Sequence, residues 1–246
     1  MGSGGGGGGV VESIVSVNFG DTHTFNVGAG GTPTVTQAWG KDPALPPYVI
    51  QGEWPIATIA GGDGQLSGAF GVYAGGGGGA IFNSTYGNRT TGGTSGFPQS
   101  NAGGAGHTFS YGGGGGGAGE TGFAQNDSVG TPEIRDGGDG IWSEFFGGWY
   151  GGGGASKGGA YVVSMDPYRE GYRGAFGGVG GGGNGPEWRA FTYIHNIRSG
   201  YPGQANTGGG GAAGLDPLNN SYAGSAAPQP GGSGIVIIEV VKSLNP

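Results

Sequence analysis

The sequence predicts an all-β, glycine-rich fold in which short β-strands at both ends frame a packed bundle of polyglycine II helices with long loops. Three observations predict it. Glycine supplies 70 of 246 residues and comes in pure runs at 4–9, 75–79, 112–117, 151–154, 180–183 and 208–211. Apolar β-branched segments stand near both termini, VVESIVSV at 10–17 and GIVIIEVV at 234–241. The runs from 75 onward begin at 75, 112, 151, 180 and 208, each behind a small or aromatic lead-in, so one unit repeats with variable insertions. The expected organisation is a single glycine-rich domain, 1–246. It has an N-terminal hairpin at 10–31, glycine-run repeats with variable loops across 70–214 and a closing strand at 231–246.

The first element, 10–17, is strand-like and rich in β-branched residues, and 22–27 (THTFNV) is strand-like again after the turn-forming Asn18-Phe19-Gly20-Asp21, so the two read as a β-hairpin. The glycine runs follow a different logic. Glycine contributes no side chain to a core and loses the most backbone entropy on ordering. An ordered run therefore uses its backbone as the structure. The extended left-handed helix of three residues per turn has no internal hydrogen bonds, so its N–H and C=O groups must pair with neighbouring runs. A Cβ on an inward face would prevent that approach. The alternative use of such runs is as flexible linkers between binding loops. The last element, 234–241, has the length and composition of one buried strand, punctuated by Pro228, Pro230 and Gly231-Gly232. The best helical candidate, 187–198, is short and rich in β-branched and aromatic residues, so no helix is expected.

Composition narrows the function classes. Glycine and proline together make up about a third of the chain, which usually means disorder, but aromatics at 11% argue against it. The net charge is −7 with no basic stripe, so nucleic acid is not an expected partner. No apolar run approaches the roughly 18 residues of a membrane span, so no membrane insertion is expected. The start, Met1-Gly2-Ser3, lacks the basic and apolar regions of a standard secretory signal. His23, His107 and His195 are scattered and cysteine is absent, so no metal site, cofactor or catalytic residue is assigned. Asp136-Gly-Gly-Asp-Gly140 and Gly61-Gly-Asp-Gly64 lack the nonapeptide period of calcium loops and read as turns.

The insertions hold the chemistry. Residues 141–150 (IWSEFFGGWY) carry five aromatics in ten residues, and 161–172 and 186–201 add more, interleaved with Asp, Pro and Arg. Rigid amphipathic aromatics suit recognition loops. Trp142, Trp149, Tyr150, Tyr168, Trp188 and Tyr193 are the receptor-binding candidates. The competing role is packing, because a glycine core has little volume and needs flanking aromatics to seal it. Ile235, Val236, Ile237 and Ile238 are the assembly candidates.

Two stretches carry a resemblance. Residues 9–17 leading into 22–31 (THTFNVGAGG) are similar to the opening of the glycine-rich domain of phage tail-fibre proteins, and 231–238 (GGSGIVII) resembles its closing strand. In architecture the chain also resembles the tip adhesins of T-even-like phages. The resemblance implies a virion-surface or extracellular protein, a host surface receptor of protein or glycan, and a fibre shaft or further copies of the chain as partners. It also implies an apolar strand before the first glycine run, where this sequence has Met1-Gly2-Ser3. The closing strand then lacks its usual neighbour, and a partner chain is expected to cover the edge. A purely structural role is the main alternative, as a capsid-decorating fibre or a filament subunit. Ice binding fits less well, because threonine has no regular spacing.

Overall fold

The computed structural model describes residues 3–40, 54–79, 81–83, 92–104, 112–124, 136–156, 160–163, 170–173, 175–191, 194–198, 200–214 and 228–241. Among these there is no helix. The strands are β1 Phe25–Asn26, β2 Thr34–Gly40, β3 Trp54–Ala60, β4 Ser67–Ala69, β5 Val72–Ala74, β6 Ile81–Asn83, β7 Ile141–Ser143, β8 Gly148–Tyr150, β9 Ala160–Val163, β10 Glu170–Arg173, β11 Glu187–Phe191 and β12 Ile194–Arg198. They form small antiparallel sheets in the orders β1-β4-β5, β2-β3-β6, β7-β8 and β9-β10-β11-β12. The β-branched and aromatic stretch at 187–198 is the hairpin β11–β12, as its composition requires.

The body between these sheets is built from glycine backbone. In the run 4–9, successive N–H groups serve three different neighbours in turn. Gly4 and Gly7 donate to the carbonyls of Gly113 and Gly116, at 3.1 and 2.8 Å. Gly5 and Gly8 donate to Gly211 and Gly208, at 2.9 and 2.6 Å, and Gly6 and Gly9 donate to Gly78 and Gly75, at 2.9 and 2.8 Å. The same partner returns at every third residue. Carbonyls on the other sides of this run accept from Gly93, Gly96 and Gly154. Every N–H group of this run is thus satisfied by a neighbouring run, as burial demands.

Close approach explains why the positions are glycine. A Cβ on Gly4, Gly6, Gly7 or Gly9 would overlap the carbonyl of Gly154, Thr94, Gly151 or Phe97. A Cβ on Gly113, Gly115 or Gly153 would overlap Gly104, Gly5 or Gly115 in the same way. Among the described residues the buried apolar side chains are small: Pro186 and the alanines Ala69, Ala118, Ala155, Ala175, Ala212 and Ala213. The core is thus backbone against backbone, with Cβ atoms admitted only at a few edges.

The bond registers also fix each run's direction. Segments 61–65, 92–97, 112–118, 136–140, 175–179, 200–204 and 228–234 run with 4–9, and 28–32, 75–79, 101–104, 120–124, 151–156, 180–185 and 207–213 run against it. The connections 33–60, 80–91, 105–111, 125–135, 157–174, 186–199 and 214–227 are therefore all anchored at the Gly4 end of the body. The sheets β2-β3-β6 and β9-β10-β11-β12 lie within these connections. The Gly9 end carries tight turns near 98–100, 119 and 205–206, the hairpins β4–β5 and β7–β8, and the segments 10–17 and 235–241.

Two expectations are corrected. Residues 10–17 and 234–241 are not strands, and the hairpin expected across 10–31 does not form. The turn itself is present: the Asp21 N–H donates to the Asn18 carbonyl at 3.2 Å, and the Asn18 N–H donates to the Asp21 carboxylate at 2.9 Å. Of 22–27 only Phe25–Asn26 is a strand, and it pairs with β4 instead of 10–17. The physical reason is the lack of an edge. Past Val10, which is clamped by reciprocal bonds with the Gln99 side chain at 2.9 and 2.7 Å, the segment has left the glycine body. A β-branched pattern needs a neighbouring ladder to become a strand.

Candidate interaction surfaces at the two ends

The Gly9 end is apolar. Ile14 is 93% exposed, Val240 83% and Val241 81%, and Phe19, Val17 and Ile238 are exposed beside them. Of the assembly candidates, Ile235, Ile237 and Ile238 are exposed and Val236 is half-buried. Both segments line the same hollow at this end, together with Phe145 and Phe146. Contiguous exposed apolar surface makes this end a candidate interaction surface. Beneath it, β4 and β5 join through Phe70-Gly71, both at positive φ (54° and 79°), the pairing that a two-residue hairpin needs. Phe70 is held there by His23, with ring centroids 4.5 Å apart, and by Phe25 edge-on at 5.4 Å.

The receptor-binding candidates do not share a face. Trp142, Trp149 and Tyr150 sit in β7–β8 at the Gly9 end. Trp142 and Trp149 are cross-strand partners, packed edge-to-face at 5.9 Å and each about two-fifths exposed. Their turn is closed by Ser143, whose hydroxyl accepts from the Phe146 N–H at 3.1 Å and whose carbonyl accepts from the Gly147 N–H at 2.9 Å. Tyr150 leads into the run 151–156 and borders the hollow. Trp188 is in β11, in a connection anchored at the Gly4 end. Tyr168 and Tyr193 lie outside the described residues.

Sequence reasoning missed a pair of carboxylate clips. Asp136 and Asp139, which read as turn residues, each bind a backbone N–H of the neighbouring run: Asp136 accepts from Phe176 at 2.6 Å and Asp139 from Val179 at 2.8 Å. The backbone repeats the step, with the N–H groups of Gly137 and Gly140 donating to the carbonyls of Phe176 and Val179. The signal was the three-residue spacing of the two aspartates, which matches the three-residue return of the hydrogen bonds. Burial pushes the Asp136 carboxyl above its ordinary value of 3.8; the bond from Phe176 opposes this, and the nearby Asp139 charge adds to it. The folded chain then holds this proton more tightly than the unfolded chain. The group's contribution to stability is present at low pH and is lost as pH rises from about 3.8 through the raised folded value. Asp136→Asn keeps an oxygen acceptor for Phe176 and removes that loss. Melting temperature measured from pH 3 to 7 is expected to show the variant gaining on the parent as pH rises; a parallel pair of curves would show that Asp136 does not titrate with folding.

Among the described residues no three His, Cys, Asp or Glu side chains come together in a way that could hold a metal ion. No helix there is long and apolar enough to cross a membrane. A glycine-rich domain family matches residues 1–241, and the chain belongs to that family. No curated protein matches the chain. No solved structure matches it.

Proposed function

We propose that this member of the glycine-rich domain family is a virion-surface fibre or adhesin component. Its glycine body holds variable aromatic loops at one end for recognition of a host surface receptor, protein or glycan. The other end attaches to a fibre shaft or to further copies of the chain. The observation that carries this reading is the polarity of the body: the large connections are anchored at the Gly4 end, and the exposed apolar segments leave the Gly9 end. A rigid scaffold that gathers its variable loops at one end is the usual arrangement for loop-borne recognition. We read the runs as polyglycine II helices, because their hydrogen bonds pass outward to neighbours and return to the same neighbour at every third residue. The placement of the protein on a virion or outside a cell follows from the same reading.

The reading assigns the aromatic candidates two different tasks. Tyr168, Trp188 and Tyr193 belong with recognition. Trp142 and Trp149 stabilise the β7–β8 hairpin, by about 0.5–1.5 kcal/mol for such a ring pair. Alanine at Tyr168, Trp188 and Tyr193 together is expected to lower binding of labelled protein to host cells more than tenfold, with the melting temperature within a few degrees of the parent. Alanine at Trp142 and Trp149 should lower the melting temperature and leave cell binding in place. Normal cell binding by the triple variant would overturn the assignment of the loop end. The exposed apolar end also suits a purely structural filament subunit. That reading predicts open-ended polymers of the chain alone in solution and no saturable binding to cells.

A further inference from the structure

Six runs at one side of the body close on themselves. Run 4–9 donates to 207–213 through Gly5 to Gly211 and Gly8 to Gly208. Run 228–234 donates to 207–213 through Gly232 to Gly209, and to 28–32 through Gly231 to Gly31. Run 61–65 donates to 28–32 through Gly62 to Thr32 and Gln65 to Ala29, and to 75–79 through Gly64 to Gly77. Run 4–9 completes the circuit through Gly6 to Gly78. Parallel rods in contact pack hexagonally, and a ring of six surrounds a space for one more rod. That space is present: a cavity of about 900 Å³ is walled by all six runs and continues to the apolar segments 10–17 and 235–241.

The Cβ geometry shows the same vacancy independently. Most glycines of the body would drive a Cβ into a neighbour's carbonyl, but Gly5, Gly8 and Gly231, all lining the cavity, would not. A Cβ on Gly5 comes no nearer than 3.5 Å to any group, on Gly8 no nearer than 3.3 Å, and on Gly231 no nearer than 3.4 Å. Gly5 and Gly8 are three residues apart, so one face of the central run looks into the empty position. Glycine there is not required by the folded chain itself.

We propose that this six-walled channel receives one extended, small-residue segment of a different polypeptide, which continues as an apolar strand between 10–17 and 235–241 at the mouth. The proposal deepens, and rests on, the reading of the Gly9 end as the attachment end. The walls set the chemistry of the guest. Backbone packed at this distance excludes side chains larger than alanine or serine along the run. A six-residue segment spans about 19 Å, the length of the run beside it. At the mouth the guest changes character, because the walls become valine and isoleucine. A second copy of this chain cannot lend its run 4–9, which is bonded on several sides within its own body.

The test uses the full chain and synthetic peptides. One peptide has six glycines followed by VVESIVSV, one has the strand first and the glycines second, and a control has valine in place of every glycine. Binding is followed by fluorescence anisotropy with labelled peptides. One of the two glycine peptides is expected to bind saturably and the control is not. Gly5→Ala with Gly8→Ala is expected to weaken binding at least tenfold while the chain melts within a few degrees of the parent, because those methyl groups fill the channel, the Gly5 methyl at ordinary contact distances and the Gly8 methyl needing the Gly208 carbonyl to give by a few tenths of an ångström. A channel that holds only water gives no binding of either glycine peptide, and that result overturns the proposal. Equal binding by the double alanine variant also overturns it, since the guest would then sit elsewhere. Failure here is separable from failure of the attachment reading: no peptide binding, with attachment still abolished by charges at the apolar end, would remove the channel and leave that end's role intact.

Discussion

Gly7→Val is expected to unfold the protein, and Gly6→Ala to do nearly the same, whereas Gly5→Ala is expected to be close to neutral. The three positions are consecutive in one run and none has a positive φ, so intrinsic propensity does not separate them. Their neighbours do. A Cβ on Gly6 meets the Thr94 carbonyl and one on Gly7 meets the Gly151 carbonyl, while one on Gly5 has ordinary contact distances on every side. The obstructing atoms are backbone oxygens, themselves within hydrogen-bonded runs, so no rotamer change relieves the overlap. Relief requires two runs to separate, which breaks several inter-run bonds at once. Overpacking in an ordinary core costs about 1–3 kcal/mol. Here the strain cannot be shared with flexible side chains, and a cost of about 5 kcal/mol or more would consume most of a domain's stability. Thermal melting of the three variants decides the matter. A Gly7→Val chain that melts within a few degrees of the parent would mean that the runs are loosely associated and that glycine serves flexibility instead of packing.

That contrast shows how far the sequence could be read. The pure runs were visible as candidate scaffold, because consecutive glycines permit the close backbone approach that any Cβ would prevent. Other members of the scaffold were not visible. Segments 101–104, 120–124 and 136–140 belong to the same body but carry Asn101, Phe123 and Asp136. They stand where one face looks outward, and Phe123 is exposed there, so a side chain is tolerated at that position of the three-residue turn. A search for unbroken glycine passes over such runs. Missing them also hides the parity of the chain: whether an insertion falls at one end or the other depends on how many runs precede it. This is why Trp142 and Trp188 looked like members of one surface and lie in connections at opposite ends. The β-branched segments failed for another reason. Their β-branched composition favours extended backbone, but a strand exists only when a ladder partner stands beside it. Among the described residues the structure supplies a partner for Phe25–Asn26 and none for 10–17 or 235–241.

Aspartate at Ile14 and Val240 together is expected to abolish attachment of the chain to its partner without harming the fold. Both side chains are almost fully exposed in the free chain, so neither contributes to its core. In a covered interface each would contribute about 1.5–3 kcal/mol through burial. Losing both corresponds to roughly a hundredfold to ten-thousandfold in affinity, before the added cost of burying a carboxylate. The parent already has one charge within 235–241, Glu239, and a single charge is a weak guard against indiscriminate pairing. The parent is therefore expected to be found above monomer mass in solution, or captured on its shaft partner, and the double aspartate variant as a free monomer with the parent's melting temperature. Amide exchange supplies the sharper reading. In the free variant 10–17 and 235–241 should exchange freely, because no ladder protects them, and in the assembled parent they should be protected together. A parent chain that is a stable monomer with both segments protected would show that it pairs them internally, and the attachment end would then have to be sought elsewhere on the body.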